Sequence, residues 1–227
     1  MKRPVLLFLL AAMACATVAR ADTPPNDTPG DRLPVVKATL PDAASPTPLA
    51  LGQPAPLRDV SMKNVDGSDI SIADVAGRKG MLVLFTCNHC PWVKKWQTRI
   101  ASIGNAAASR GLGVIAINSN DPAAYPEDAP DEMKARAKQL GFRFPYVVDA
   151  TSDVARAFGA THTPEAYVFD ARGRLVYHGG VDDNASDEKA VKQPWLRQAV
   201  EAVAAGKAVP LAETKALGCS IKFREKS

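Results

Sequence analysis

The order of strand and helix signals along the chain predicts an α/β fold with a mixed central sheet and helices on both faces. The apolar runs 81–86 and 112–117 are typical of parallel strands buried on both faces, and a helical apolar period lies between them. Two further strands, Ala166 to Asp170 and Leu175 to His178, flank the turn-forming Ala171-Arg172-Gly173. Antiparallel strands that follow a βαβ unit give a mixed sheet.

The first elements predict an N-terminal β-hairpin followed by the βαβ unit. Leu57 to Val65 and Ser68 to Ile72 flank Asp66-Gly67, a two-residue hairpin signal. The long helix after the first central strand ends near Arg110-Gly111. Its apolar stripe repeats at helical spacing and consists of Trp92, Val93, Trp96, Ile100 and Ile103.

Beyond a polar loop at 118–130, the chain alternates helices with short extended segments. Residues 144–148 form one such segment, and Thr151 or Ser152 is expected to cap the helix that follows it. The predicted later helices are Asp131 to Leu140, Thr151 to Phe158 and Pro194 to Ala205.

The first 21 residues have the features of a secretory signal peptide. Lys2 and Arg3 supply the positive start, and the apolar run Val5 to Ala14 is too short to span a bilayer. Ala19-Arg20-Ala21 is a small-residue cleavage site, so we expect an exported protein located in the periplasm.

An alternative leader would make Cys15 a lipid-modified first residue and would tether the protein to a membrane. The leucine that such signals usually carry three residues before the cysteine is missing.

After the leader, the sequence predicts a Pro-rich linker at 22–51, a folded domain at 52–210 and a tail at 211–227 that contains Cys219. No transmembrane segment is expected in the mature chain.

Charge and composition make a nucleic acid an unexpected partner. Removal of Lys2, Arg3 and Arg20 with the leader lowers the formal net charge from +4 to +1. The remaining basic residues form no stripe and do not alternate with aromatic residues, as they do in proteins that bind nucleic acids.

Cys87-Asn88-His89-Cys90-Pro91 is the motif that carries the chemistry. It lies between a buried strand and a long helix, where free N–H groups and the helix dipole stabilise a thiolate. His89 can lower the pKa of the first cysteine further. A zinc site of paired motifs would need a second C-x-x-C, and a haem site would need histidine where Pro91 stands. The motif therefore favours thiol–disulfide exchange over a structural disulfide.

With Thr163-Pro164 before a β-hairpin, this motif resembles the thioredoxin fold, and the opening hairpin and the 118–130 loop resemble its redoxin branch, the AhpC/TSA superfamily. Residues 52–224 are similar to a peroxiredoxin-like thioredoxin group within it. The resemblance implies a three-layer sandwich. The strings that carry it are Cys-Asn-His-Cys-Pro-Trp-Val-Lys from Cys87, Ile117-Asn118-Ser119-Asn120-Asp121, Tyr125-Pro126 and Gly218-Cys219-Ser220-Ile221-Lys222.

The resemblance implies roles for the residues around Pro164. In the thioredoxin fold the matching proline is cis, packs beside the dithiol and, with Thr163, offers a backbone edge to an incoming peptide or thiol. Glu165 resembles a carboxylate that cytochrome-maturation reductases place near their dithiol, so it is expected to move protons. His162 stands where members of the group often have a cysteine, and is expected close to the dithiol or else solvated.

These features predict an exported thiol–disulfide oxidoreductase whose only redox group is the Cys87–Cys90 disulfide. Cys87 would attack a substrate disulfide and Cys90 would resolve the mixed disulfide. The expected partners are protein thiols or disulfides and a membrane electron donor or acceptor. Cys219 is either an additional exchanging thiol or a buried free thiol.

Two other functions remain open from the sequence. Cys87 and Cys90, together with His89 or His162, offer soft ligands to copper or zinc, which would make this a metal-handling protein. The superfamily also suggests a thiol peroxidase. Peroxiredoxins, however, carry Thr or Ser three residues before the reactive cysteine, and here those positions hold Leu84 and Cys87.

Overall fold

Nine strands occur in the described part of the protein, which comprises residues 46–225 of the computed structural model. Seven of them form one mixed sheet and the other two form a separate pair. The strands are β1 (Met62–Asn64), β2 (Asp69–Ile70), β3 (Met81–Phe85), β4 (Gly113–Asn118), β5 (Tyr146–Val148), β6 (His162–Thr163), β7 (Glu165–Phe169), β8 (Leu175–Gly179) and β9 (Cys219–Ser220). The predicted signal peptide, Cys15 and most of the linker lie outside the described residues.

The order of the seven-stranded sheet is β2-β1-β5-β4-β3-β7-β8, and β6 pairs with β9. The central strand β3 is parallel to β4 and antiparallel to β7, as expected for a βαβ unit followed by a hairpin. β1 and β2 form the predicted N-terminal hairpin, shorter than the sequence suggested. Its turn has Gly67 at φ 91° and an N–H of Ser68 bound to Asp66 Oδ1 at 2.9 Å.

Helices cover both faces of this sheet, as predicted. They are α1 (Pro91–Ser109), α2 (Pro130–Leu140), α3 (Asp153–Phe158) and α4 (Trp195–Ala204). Alternate residues of β3 belong to two separate cores: Leu84 packs with residues of α1, α2 and α4, whereas Phe85 packs with α3. Among residues 46–225, no helix is long and apolar enough to cross a membrane.

The start of α3 differs from the capping prediction. Thr151 Oγ1 does accept a hydrogen bond from the N–H two residues on, at 3.3 Å. Ser152, which occupies the N-cap position, instead donates its hydroxyl to the carbonyl of Ser119 at 2.7 Å. The cap that sequence reasoning missed is Asp149, whose Oδ2 accepts the N–H of Ala155 at 3.0 Å. Ser152 thus makes a long-range contact with Ser119 instead of capping α3 with its side chain.

A buried ion pair ties α1 to the segment after β8. Arg99 Nη1 donates to Asp182 Oδ2 at 2.6 Å, and both side chains are 5% exposed. Trp96 Nε1 donates to the other oxygen of Asp182 at 2.8 Å. The guanidinium also donates to the carbonyls of Asn184 and Ala185 at 2.7 and 2.8 Å, so the charge is well satisfied.

We expect Asp182→Asn to lower the free energy of unfolding by about 3–5 kcal/mol, because it leaves the Arg99 charge buried without its partner. Asp69→Asn is the matched control, since it breaks the exposed Lys63–Asp69 pair, which is worth about 0.5 kcal/mol. Urea unfolding of both variants measures the difference. Equal losses in the two would contradict the importance of the buried pair.

Candidate functional site

The two cysteines of the motif lie together between β3 and α1. Cys87 is separated from the end of β3 by Thr86, and Cys90 occupies the N-cap position of α1, which begins at Pro91. Both are free thiols and almost completely buried, with 2% and 0% of their surface exposed. The cysteine at the helix N-terminus is therefore Cys90, whereas the sequence analysis expected the helix N-terminus to lower the pKa of Cys87.

The sharing of one proton between the sulfurs dominates the electrostatics of the dithiol. A hydrogen bond from Cys87 lowers the pKa of Cys90 to about 4, against the opposing effect of burial. Hydrogen bonds from the Cys219 thiol and from the backbone of Val93 add to the lowering. The pKa of Cys87 is raised by the same sulfur–sulfur hydrogen bond, by burial and by the negative charge of Asp128. The shared proton thus favours ionisation of Cys90 over ionisation of Cys87.

Thr163 contacts both sulfurs. Its Oγ1 lies 3.2 Å from Cys87 Sγ, and its carbonyl oxygen lies 3.3 Å from Cys90 Sγ. The following Thr163–Pro164 peptide bond is cis. The two residues expected to form a substrate edge thus do lie beside the dithiol, and they also bring a hydroxyl group to Cys87.

Asp128 is a central residue of the site that sequence reasoning missed. Its carboxylate is completely buried, and Oδ2 lies 2.5 Å from His89 Nδ1. Oδ1 accepts the backbone N–H groups of Asn88 at 2.6 Å and of His89 at 3.3 Å. The His89 ring also stacks on Tyr125, with centroids 3.9 Å apart. Asp128 therefore fixes both the backbone and the imidazole of the motif. The sequence analysis had singled out the 118–130 loop and the neighbouring Tyr125-Pro126 string, but not Asp128 itself.

Asn120 joins this carboxylate to the C-terminal tail. Its Nδ2 donates to Asp128 Oδ2 at 3.0 Å, and its Oδ1 accepts the N–H of Lys222 at 2.7 Å. The side chain belongs to the Ile117–Asp121 string, whose role in the site was not apparent from the sequence.

The metal-ligand set that the structure assembles shares Cys87 and His89 with the predicted one and adds Asp128. Within residues 46–225, the potential ligand atoms of Cys87, His89 and Asp128 lie within 4.8 Å of one another. This cluster does not include His162, whose Nδ1 instead lies 2.8 Å from Thr161 Oγ1. The carboxylate oxygens of Asp128 already accept four hydrogen bonds, so the cluster is better suited to orienting His89 than to binding a metal.

Glu165 is buried and engaged by groups other than the cysteines. Oε2 accepts the N–H groups of Thr161 and His162, both at 2.8 Å. Oε1 accepts from His178 Nε2 at 2.6 Å and from the hydroxyl of Tyr167 at 3.1 Å. Burial alone would raise the pKa of Glu165, but these hydrogen bonds lower it. The carboxylate thus holds the loop before Pro164, and its expected role in proton transfer stays a prediction.

Cys219 completes the cluster of thiols. It packs against Cys87, Cys90 and Val93, and its pKa is raised to about 11 by burial and by the hydrogen bond and charge of Cys90. The third thiol is therefore close to the dithiol but protonated at neutral pH.

Residues 51–178 match the model of the AhpC/TSA family, which is more than half of the chain. The chain belongs to the AhpC/TSA family. An uncharacterised conserved protein of this kind of fold from Geobacillus kaustophilus is 38% identical, with a TM-score of 0.72, over 78% of this chain and 94% of that one. A hypothetical protein from Sinorhizobium meliloti is 36% identical, with a TM-score of 0.72, over 79% and 98%.

Two other comparisons place this AhpC/TSA protein among thioredoxin-like folds. A thioredoxin-like protein solved in its oxidised form is 21% identical, with a TM-score of 0.53, over 70% of this chain and 99% of that one. The thiol-disulfide oxidoreductase ResA of Halalkalibacterium halodurans is 22% identical over 56% of this chain and 69% of its own length. The predicted fold class and family are thereby confirmed.

The low pKa of Cys90 has a direct spectroscopic test. We expect the ultraviolet thiolate absorbance of the reduced protein to titrate near pH 4. Cys87→Ala removes the first hydrogen bond that lowers this pKa, so its titration should shift upward by roughly one unit or more. Val93→Ala serves as the control, because the backbone N–H that Cys90 accepts is kept. An unchanged midpoint in Cys87→Ala would show that the proton is not shared between the two sulfurs.

Glu165 should make stability depend on pH. Its folded-state pKa lies below the ordinary value, so its contribution is present at neutral pH and is lost as the pH falls through the folded pKa. Glu165→Gln should therefore unfold about 2 kcal/mol more easily at pH 7 and lose less stability than the wild type between about pH 5 and 3. Glu127→Gln, in an exposed pair with Lys94, is the control. Parallel pH profiles would refute this role for Glu165.

Proposed function

We propose that the protein is an exported thiol–disulfide oxidoreductase that works through the Cys87/Cys90 dithiol. The observation that supports it most is the contact between two free thiols at the start of α1, where the hydrogen bond from Cys87 lowers the pKa of Cys90. The relatives named thiol-disulfide oxidoreductase ResA, from Halalkalibacterium halodurans and Geobacillus thermodenitrificans, support the same class of reaction.

In the proposed reaction, two electrons pass from the dithiol to a substrate disulfide. Cys87 first gives its proton to Cys90 along their hydrogen bond and becomes the attacking thiolate. It forms a mixed disulfide with one substrate sulfur, and the other substrate sulfur leaves as a thiolate. Cys90 then passes its proton to the substrate thiolate that has left and attacks Cys87, which releases the second substrate thiolate and leaves the Cys87–Cys90 disulfide. The reverse sequence oxidises a substrate dithiol.

His89 is the side chain placed best to move protons in these steps. Its ring lies in the cluster of groups around Cys87, and Asp128 fixes the orientation of that ring through Nδ1. We assign the tuning role in the reaction to His89, and assign to Glu165 the positioning of Thr163 and Pro164 through the loop before them.

The physiological setting follows from the leader predicted by the sequence. Export places the dithiol in an oxidising compartment, where it needs a partner to reset it after each reaction. The partners of this proposal are protein thiols or disulfides and a membrane electron donor or acceptor, and no cofactor besides the disulfide is required.

A thiol peroxidase is the second candidate, and one contact favours it. The hydroxyl that peroxiredoxins place by sequence is missing, but Thr163 Oγ1 lies 3.2 Å from Cys87 Sγ. If this hydroxyl orients a peroxide, Cys87 would form a sulfenic acid, which Cys90 would condense into a disulfide. The rate of disulfide formation with hydrogen peroxide tests it. A tenfold loss of that rate in Thr163→Val, with unchanged reactivity towards glutathione disulfide, would support the peroxidase, and equal losses would remove it.

The oxidoreductase proposal is tested by titrating the mature domain with glutathione redox buffers. We expect reversible formation of Cys87–Cys90, both in the wild type and in the control Cys219→Ser. A potential near about −270 mV would indicate a reductase, and one near about −120 mV an oxidase or isomerase. Cys87→Ser and Cys90→Ser should each lose insulin-disulfide reduction by at least about a hundredfold. If no reversible Cys87–Cys90 disulfide forms, the proposal fails.

A further inference from the structure

The described end of the tail, residues 218–225, lies along the edge of β6 that the sequence analysis assigned to substrate. β9 pairs antiparallel with β6, so that Cys219 lies opposite Thr163 and Ser220 opposite His162. The N–H of Ile221 continues the ladder with a bond to the carbonyl of Thr161 at 2.8 Å. The chain's own segment thus occupies the position of an incoming peptide.

Gly218 allows this close approach. A Cβ atom on Gly218 would lie 2.1 Å from the carbonyl oxygen of Thr163, a distance that no side chain tolerates. That carbonyl is the one within 3.3 Å of Cys90 Sγ. The backbone of the tail is therefore in van der Waals contact with the group that borders the dithiol.

The tail is anchored beyond β9 as well. The N–H of Lys222 binds Asn120 Oδ1 at 2.7 Å, and the N–H of Arg224 binds Ser152 Oγ at 3.0 Å. Ile221 is buried in the core on the α3 side of the sheet. These contacts fix Cys219 in register, because a slip of one residue would turn its side chain to the opposite face of the strand.

Three thiols consequently meet at one point. Cys219 packs with Cys87 and Cys90, and Cys90 accepts hydrogen bonds from both the thiol and the backbone N–H of Cys219. The pKa of Cys219 is raised in part by the charge of Cys90, a charge that disappears once Cys90 is in a disulfide. Oxidation of the dithiol therefore makes Cys219 easier to ionise.

We propose that Cys219 is a third redox thiol of this site and exchanges with the Cys87–Cys90 disulfide to give Cys90–Cys219. This inference rests on the proposed dithiol chemistry. The Cys219 thiolate attacks the sulfur of Cys90, so the Cys90–Cys219 bond forms while the Cys87–Cys90 bond breaks. The electron pair of the broken bond stays on Cys87, which takes up the proton that Cys219 lost. The number of disulfides is unchanged, and no outside oxidant or reductant is needed.

The exchange would give the oxidised protein a free Cys87. In that state the tail is joined covalently to the N-terminus of α1, while the sulfur beside Thr163 Oγ1 and His89 is again a thiol. The third thiol thus determines which of the two motif cysteines is a free thiol when the next substrate binds.

Disulfide mapping in the wild-type protein tests the exchange directly. The mature protein is oxidised with glutathione disulfide, quenched in acid, alkylated and digested. We expect a peptide pair linked through Cys90 and Cys219 in which Cys87 carries the alkyl label. Cys87→Ala should form the same link reversibly, with the loss of two hydrogens by mass and no bound glutathione. Glutathione on Cys90 beside a free Cys219 in this variant, or no such linked peptide in the wild type, would overturn the proposal.

A matched control moves the thiol by one position. Cys87→Ala combined with Cys219→Ser and Ser220→Cys keeps the number of thiols but turns the third one to the exposed face of β9. We expect at least a tenfold lower equilibrium yield of disulfide with Cys90 than in Cys87→Ala alone. Equal yields would refute the argument from register. Circular dichroism and thermal unfolding establish that the variants are folded.

These results are separable from the fate of the proposed function. If the wild type forms Cys87–Cys90 and reduces insulin but never forms Cys90–Cys219, the third-thiol proposal alone is wrong. If Cys219→Ser, in which this exchange cannot occur, forms no Cys87–Cys90 disulfide at all, the oxidoreductase proposal is wrong.

Discussion

The buried carboxylate of Asp128 is the constraint on which the site depends. A carboxylate removed from water is costly unless several donors satisfy it, and Asp128 has four: two backbone N–H groups of the motif, the His89 ring and the Asn120 amide. Because these donors come from separate parts of the chain, one group fixes the motif, its imidazole and the anchor of the tail together. The same negative charge raises the pKa of Cys87, so it also helps to decide which sulfur keeps the proton.

Thr163 contacts the groups around the three sulfurs, as Asp128 contacts the backbone of the motif loop. Its hydroxyl and its carbonyl face different cysteines, and its backbone pairs with Cys219, so one residue touches all three positions of the thiol cluster. Glu165 accepts the N–H groups of Thr161 and His162, the two residues before Thr163, and is itself held by His178. The contacts of Glu165 therefore act on the dithiol through Thr163, because the hydrogen bonds of its carboxylate run to the loop before Thr163.

Local patterns in the sequence predicted most of the fold. The apolar runs of β3 and β4, the stripe of α1 and the hairpin of β7 and β8 all depend on residues close in the chain, and all were found within a few positions. The features that were missed depend on distant residues. Asp128 meets Asn88 across 40 positions, and Lys222 meets Asn120 across 102. The two-residue strands β6 and β9 are too short to show a period, so their pairing could not be predicted.

The position of β9 changes what the edge beside Pro164 means for function. A peptide that paired with Thr163 would have to replace the backbone bonds of the tail and expose Ile221, which is buried. The free energy needed to displace the tail is subtracted from the binding free energy of the peptide. A more stable tail therefore lowers the affinity for an outside peptide. A segment that carries a cysteine at the position opposite Thr163 is not an inert cover, because displacement also removes the third thiol from the dithiol. Pairing of an outside peptide with Thr163 and contact of Cys219 with the dithiol therefore exclude each other.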